Sequence, residues 1–135
     1  MHEWALAEAI VWGVAEYVRG IGGSAAGKVV VSLGELQAID REVLEFALKE
    51  LISEVPIKIR GIELISEEAR FKCRSCGYVW RLKEVSLSDE IREAIHFVPE
   101  VVHTFLKCPK CGSRDYEVVS GRGVKIISVE VVRDE

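Results

Sequence analysis

The chain has 135 residues, a formal net charge of -4, 49% hydrophobic and 30% charged residues. At roughly 100–200 residues per domain, that length excludes a large multi-domain enzyme and allows one domain or two small ones. The composition excludes a disordered chain, and the longest apolar run, Ala9 to Ala15, is seven residues, far short of the ~20 that span a bilayer.

Residues 3–20 read as a helix. Leu6, Ala9, Ile10, Gly13, Val14 and Tyr17 fall on one continuous face, and a second stripe of Trp4, Glu8, Val11, Trp12, Ala15 and Arg19 lies beside it. The second stripe is too apolar for simple solvated surface and is either a partner face or a surface buried under the inserted module. The turn Gly20-Ile21-Gly22-Gly23-Ser24 stops the helix. Lys28 to Leu33 is a β-branched strand broken by Gly34, and Asp40 is the expected N-cap of a second helix over 41–53. Pro56 precedes a second strand, Ile57 to Ile65, and a third runs from Val124 to Val132. The expected fold is α+β: two helices packed on a small three-stranded sheet, with an inserted zinc-ribbon-like module built on four cysteines. The last strand returns to the first part of the chain, because the strands need it to close one core. The expected domains are 1–69 plus 117–135, and the inserted 70–116.

The insertion is compositionally distinct. Residues 70–115 hold nine basic and six acidic residues, whereas the rest of the chain holds nine basic and sixteen acidic. Its apolar complement is thin, and fewer than about fifty residues usually need a disulfide or a metal to stay folded. It carries all four cysteines, as Cys73-Arg74-Ser75-Cys76-Gly77 and Cys108-Pro109-Lys110-Cys111-Gly112. Two CxxC pairs are the ligand set of a tetrahedral all-cysteine zinc site, and four thiolates leave no open position, so such a zinc is structural. Two disulfides would require an oxidising compartment, and the start MHEWALAEA lacks a cationic signal region, so a cytoplasmic protein is expected. A thioredoxin-like site needs one CxxC opening a helix.

The start Met1-His2-Glu3 is a second constellation. A free amine, the His2 amide and His2 Nδ1 form fused five- and six-membered chelate rings, a planar three-nitrogen set that suits Ni(II) or Cu(II) better than tetrahedral zinc. One planar position remains open. Only His96 and His103 offer another imidazole. His96 is the expected fourth ligand, since a neutral imidazole suits Ni(II) better than the carboxylate of Glu3, and His103 lies nearer the Cys108 knuckle. Position and spacing alone do not single out nickel.

Four segments narrow this further: MHEWALAEAI, VSLGELQAID, FKCRSCGYVW and IHFVPEVVHTFLKCPKCGS. Together, and in this order, they resemble the HypA family of hydrogenase-maturation nickel chaperones, and the longer spacer between the CxxC pairs resembles its archaeal branch. The resemblance implies nickel bound by His2 and neighbouring N-terminal atoms of Met1, with Glu3 supporting function, and zinc bound by Cys73, Cys76, Cys108 and Cys111. It implies a HypB-type nickel GTPase and the large subunit of a [NiFe]-hydrogenase as partners, and no catalysis by the chain itself.

Two rival readings are weaker on the residues. A nucleic-acid-binding zinc ribbon would need a basic surface, but the module falls from +3 to about +1 once Zn²⁺ and four thiolates are counted, and the whole chain is acidic. Neither nucleic acid nor membrane is expected as a partner. A metal-dependent hydrolase lacks a general base beyond Glu3. Gly20 to Lys28 mimics a phosphate loop but follows a helix rather than a strand.

Overall fold

The computed structural model describes residues 3–133. In chain order these form α1 (Glu3–Gly20), β1 (Ala25–Gly34), α2 (Arg41–Leu51), β2 (Lys58–Glu67), β3 (Arg70–Cys73), β4 (Val79–Arg81), α3 (Asp89–Phe97), α4 (Val102–Phe105), β5 (Tyr116–Ser120) and β6 (Val124–Val132). Short 3₁₀ turns cover Glu35–Gln37, Leu82–Glu84 and Pro99–Val101. The strands make two three-stranded sheets, ordered β2-β1-β6 and β4-β3-β5. The chain divides into two compact units, 1–32 with 39–65 and 125–135, and 33–38 with 66–124. No described helix is long and apolar enough to cross a membrane.

In the first unit α1 packs on α2, and β1 is the central strand of its sheet. The expected mixed α+β fold with two helices and a three-stranded sheet is present, with one correction. The buried stripe of α1 is Ala7, Ile10, Val11, Val14, Ala15 and Val18, not the Leu6-to-Tyr17 face. The two apolar stripes of the sequence adjoin, and their shared seam is what turns inward. Val11 and Ala15 are therefore core, while Trp4 and Trp12 stay 44% and 43% exposed. Burying a Val or Ile side chain is worth about 1.5–3 kcal/mol, which outweighs helix propensity in setting the rotation. Asp40 caps α2 as expected, its side chain accepting from the Val43 N–H at 3.2 Å.

The second unit is larger than the 70–116 segment read from the sequence. It also takes 33–38, 66–69 and 117–124, because Leu36 and Ala69 are buried in its core. β3 is the middle strand, antiparallel to β4 with Phe71 opposite Trp80, and antiparallel to β5 with Phe71 opposite Val118. Phe71, Trp80 and Tyr116 form an aromatic cluster with ring centroids 5.0–5.5 Å apart. Tyr116 does more than fill space: its hydroxyl shares its one proton between the carbonyls of Val102 at 2.7 Å and Leu106 at 3.1 Å, tying the start of β5 to the end of α4. Burial pushes its phenol up to about 12, so it remains a donor across the physiological range. At the turn after β5, Gly121 has φ 88°, and a Cβ there would sit 2.3 Å from the Ala69 Cα.

Two stability effects follow. Tyr116→Phe keeps the ring but removes the donor shared by the Val102 and Leu106 carbonyls, and should lower unfolding free energy by about 1–2 kcal/mol in thermal or denaturant melts. Gly121→Ala meets backbone and a left-handed φ together, so it should lose more stability than Tyr116→Phe in the same melts.

Candidate metal centre

The two CxxC segments fold as near-duplicates. After β3, the Gly77 N–H donates to the Cys73 carbonyl at 2.9 Å; before β5, the Gly112 N–H donates to the Cys108 carbonyl at 2.8 Å. Gly77 and Gly112 have φ 77° and 80°, the left-handed conformation that closes a tight knuckle without a Cβ penalty. The knuckles are also joined: Arg74 N–H donates to the Asp115 carbonyl at 2.9 Å, its guanidinium pairs with Asp115 at 3.0 Å, and Ser75 Oγ donates to Ser113 Oγ at 3.3 Å.

These contacts bring the four cysteines to one point. All four Sγ atoms lie within 4.8 Å of one another. Cys73 and Cys111 sulfurs are 3.5 Å apart, and Cys76 and Cys108 sulfurs 3.7 Å. A tetrahedral ZnS₄ centre with bonds of ~2.3 Å has sulfur–sulfur edges of about 3.8 Å. The spacing therefore fits ligands around a dication, and it is far longer than the ~2.05 Å of a disulfide. One cysteine of each pair, Cys73 and Cys108, is buried, and the other, Cys76 and Cys111, is exposed.

Proton chemistry at the cluster points the same way. The backbone N–H of Cys76, with that of Ser75 and neighbouring thiols, lowers Cys73 to about 6. Burial opposes ionisation of Cys108, but the backbone N–H groups of Cys111 and Lys110 outweigh it and lower its pKa. At Cys111 the Ser113 N–H favours the thiolate, yet the Cys73, Cys76 and Cys108 sulfurs and burial prevail and push it up to about 12. Four thiolates cannot ionise side by side unaided, and a bound cation is what lets the last protons leave.

The other candidate ligands are placed separately. Met1 and His2 lie outside the described residues. Glu3 opens α1, and its Oε2 accepts the Asp40 N–H at 2.9 Å, so its carboxylate is engaged in holding the start of α1 to the start of α2. Trp4 adds an edge-on contact with Phe46 at 5.9 Å. His96 sits in the last turn of α3, with Nδ1 against the main-chain carbonyl of Gln37. His103 is tied to the second knuckle: its Nδ1 meets the Arg114 carbonyl at 3.2 Å, and its ring stacks on Tyr116 at 4.4 Å. The sequence reading missed Gln37 and Arg114. The one available signal was compositional, since Gln37 is the only amide side chain in the chain.

The family model described as "HypA: Hydrogenase/urease nickel incorporation, metallochaperone, hypA" matches residues 1–131. The chain belongs to this family. Proteins named "Hydrogenase maturation factor HypA" from Thermococcus onnurineus and Pyrococcus furiosus are each 52% identical over 136 residues, covering 99% of this chain and 98% of theirs. One of the same name from Methanopyrus kandleri is 32% identical over 132 residues, covering 97% and 93%. The solution structure of the Ni metallochaperone HypA from Helicobacter pylori has the same fold, with a TM-score of 0.64 at 18% identity over 99% of this chain and 100% of that one. The family is described as a nickel-incorporation metallochaperone, and the cysteine cluster here has the donor set and spacing for a structural zinc.

One zinc per chain is the expected metal content of purified protein, and Cys73→Ser should release it and unfold the 66–124 unit while the helical signal of α1 and α2 persists in circular dichroism. A group whose pKa is depressed gives up its advantage as pH falls through the depressed value, so zinc retention should weaken as acid takes the solution below about 6. Zinc captured by a colorimetric chelator across a pH series measures this.

Proposed function

We propose that this HypA protein carries Ni(II) at its N-terminus and delivers it to the large subunit of a [NiFe]-hydrogenase in the cytoplasm, working with a HypB-type nickel GTPase and catalysing no reaction itself. The observation that carries the reading is the saturation of the cysteine cluster. Four sulfurs gathered within 4.8 Å fill a tetrahedral zinc and leave no position for a second, transferable metal. Cargo nickel then needs a different donor set, and the Met1 amine with the His2 amide and imidazole is the set the sequence offers for square-planar Ni(II).

In this reading Cys73, Cys76, Cys108 and Cys111 hold the zinc, and 1–32, 39–65 and 125–135 form the nickel-binding domain. His96 supplies the fourth planar nitrogen. Glu3 contributes through position: a carboxylate already accepting the Asp40 N–H serves as an anchor for the two residues before it rather than as a charged ligand. A tridentate site with one exchangeable donor is suited to a carrier, because losing one nitrogen loosens the ion without opening the whole chelate. Nucleic-acid binding has no comparable support in a chain of net charge -4.

The test is nickel titration of untagged protein beside a version with one residue added before Met1. The extension moves the amine out of the chelate while keeping His2. The extended protein should lose the square-planar absorption and bind nickel at least about tenfold more weakly. Unchanged affinity and spectrum would overturn the site. Nickel affinity of the native protein should also fall as pH drops through about 6.5, where protons compete for the imidazoles.

A further inference from the structure

The two knuckles present their sulfurs unequally. Cys73 and Cys108 are each 1% exposed, whereas Cys76 and Cys111 face solvent. The glycine after each exposed cysteine keeps that side open: a Cβ at Gly77 or Gly112 would meet nothing within 4 Å beyond its chain neighbours. Each exposed sulfur also has a buried sulfur of the other knuckle at contact distance, Cys111 with Cys73 at 3.5 Å and Cys76 with Cys108 at 3.7 Å. Groups other than the sulfurs hold the knuckles side by side. Arg74 and Ser75 of one bond to Asp115 and Ser113 of the other, and β3 pairs with β5 beside them, with Cys73 opposite Tyr116.

A sulfur at the surface is the one a peroxide reaches first, and the product depends on which sulfur stands next to it. Attack of Cys111 Sγ on one peroxide oxygen forms an S–O bond, breaks the O–O bond and expels hydroxide, leaving a sulfenic acid. Cys73 Sγ then attacks that sulfur, forms the S–S bond and expels a second hydroxide. The pair loses two electrons and reduces one hydrogen peroxide, which ends as two waters once the hydroxides take up protons. Cys76 and Cys108 repeat the sequence. Two peroxides therefore consume all four thiolates, and the donor set for the dication is gone.

We infer that the cluster is a peroxide-reactive site that exchanges its zinc for two disulfides across the knuckles, Cys73–Cys111 and Cys76–Cys108. The inference rests on the reading of the cluster as a zinc centre. Bonds inside a CxxC would close small rings within one knuckle and leave the two knuckles without a covalent or metal link. The cross-knuckle bonds join residues 38 and 32 apart in the chain. Closing loops of that length constrains the unfolded chain more than joining residues three apart. The oxidised, zinc-free unit therefore stays folded where the reduced, zinc-free unit does not, and a dithiol that reduces both disulfides returns the zinc site.

The experiment titrates zinc-loaded, full-length protein with hydrogen peroxide. Released zinc is followed with a colorimetric chelator, packing of the aromatic cluster by near-ultraviolet circular dichroism, and linkages by mass spectrometry of alkylated, unreduced peptides. One zinc should leave for every two peroxides consumed. Peptides joining Cys73 to Cys111 and Cys76 to Cys108 should dominate, and the aromatic signal of Phe71, Trp80 and Tyr116 should persist. Stripping zinc with a strong chelator under dithiothreitol should abolish that signal, and dithiothreitol with added zinc should restore the metal to the oxidised sample. Bonds formed mainly within Cys73–Cys76 and Cys108–Cys111 overturn the inference. So do sulfinic or sulfonic acids at Cys76 and Cys111 without disulfides, and zinc retained beside four unmodified thiols. Protein that holds no zinc before treatment instead overturns the zinc reading beneath it.

Discussion

Like charges at contact distance repel, and that constraint governs the 33–38 and 66–124 unit. The fold places four sulfurs within 4.8 Å of one another, close enough that one, Cys111, holds its proton up to about 12 while another, Cys73, gives its up near 6. A dication resolves this conflict by replacing the protons. The rest of the unit is then explicable as support: two left-handed glycines shape the knuckles, Arg74 and the serines join them, and the aromatic cluster of Phe71, Trp80 and Tyr116 packs behind Cys73. Trp80 shows how far packing dominates there, since its buried indole N–H has no hydrogen-bond partner among the described residues.

The sequence made some of this legible because the signals were local. An uninterrupted helical period marked α1, a β-branched run marked β1, and Asp40 marked the start of α2. The cysteine spacing identified the cluster because two CxxC pairs admit few other uses. What it concealed was set by tertiary context. Which seam of α1 turns inward depends on where α2 lies, and both stripes were apolar. α3 was missed because only Ile95 of its nine residues is fully buried, although Ser88 caps it with a bond from the Ile91 N–H at 3.2 Å. The share of the second unit contributed by 33–38 had no signal at all, because a buried Leu36 in a turn looks like any strand residue.

Glu3 and Gln37 illustrate one division of labour. Glu3 ties the first residue of α1 to the amide of Asp40, and Gln37 ties a carbonyl to the backbone of Gly123. Both use a side-chain acceptor to satisfy a main-chain N–H, and both leave a neighbouring group in a defined place. A composition almost free of amides sharpens the point for Gln37: a carboxylate could accept the same N–H, but it would bring a charge into a site at 7% exposure.

The strand order of the first sheet has a consequence for biosynthesis. β1 lies between β2 and β6, and β6 follows every other described element. A chain emerging vectorially from a ribosome therefore carries the apolar strand Ala25–Gly34 with one edge unpaired until after the entire 66–124 segment has been made. The turn at 33–38 likewise waits for partners about thirty residues and more downstream, Ala69 first and Gly123 last. Neither unit can complete itself early. The nascent protein is an open-edged intermediate for nearly the whole of translation, and the growing chain, rather than the finished molecule, is where protection from strand-to-strand aggregation is needed.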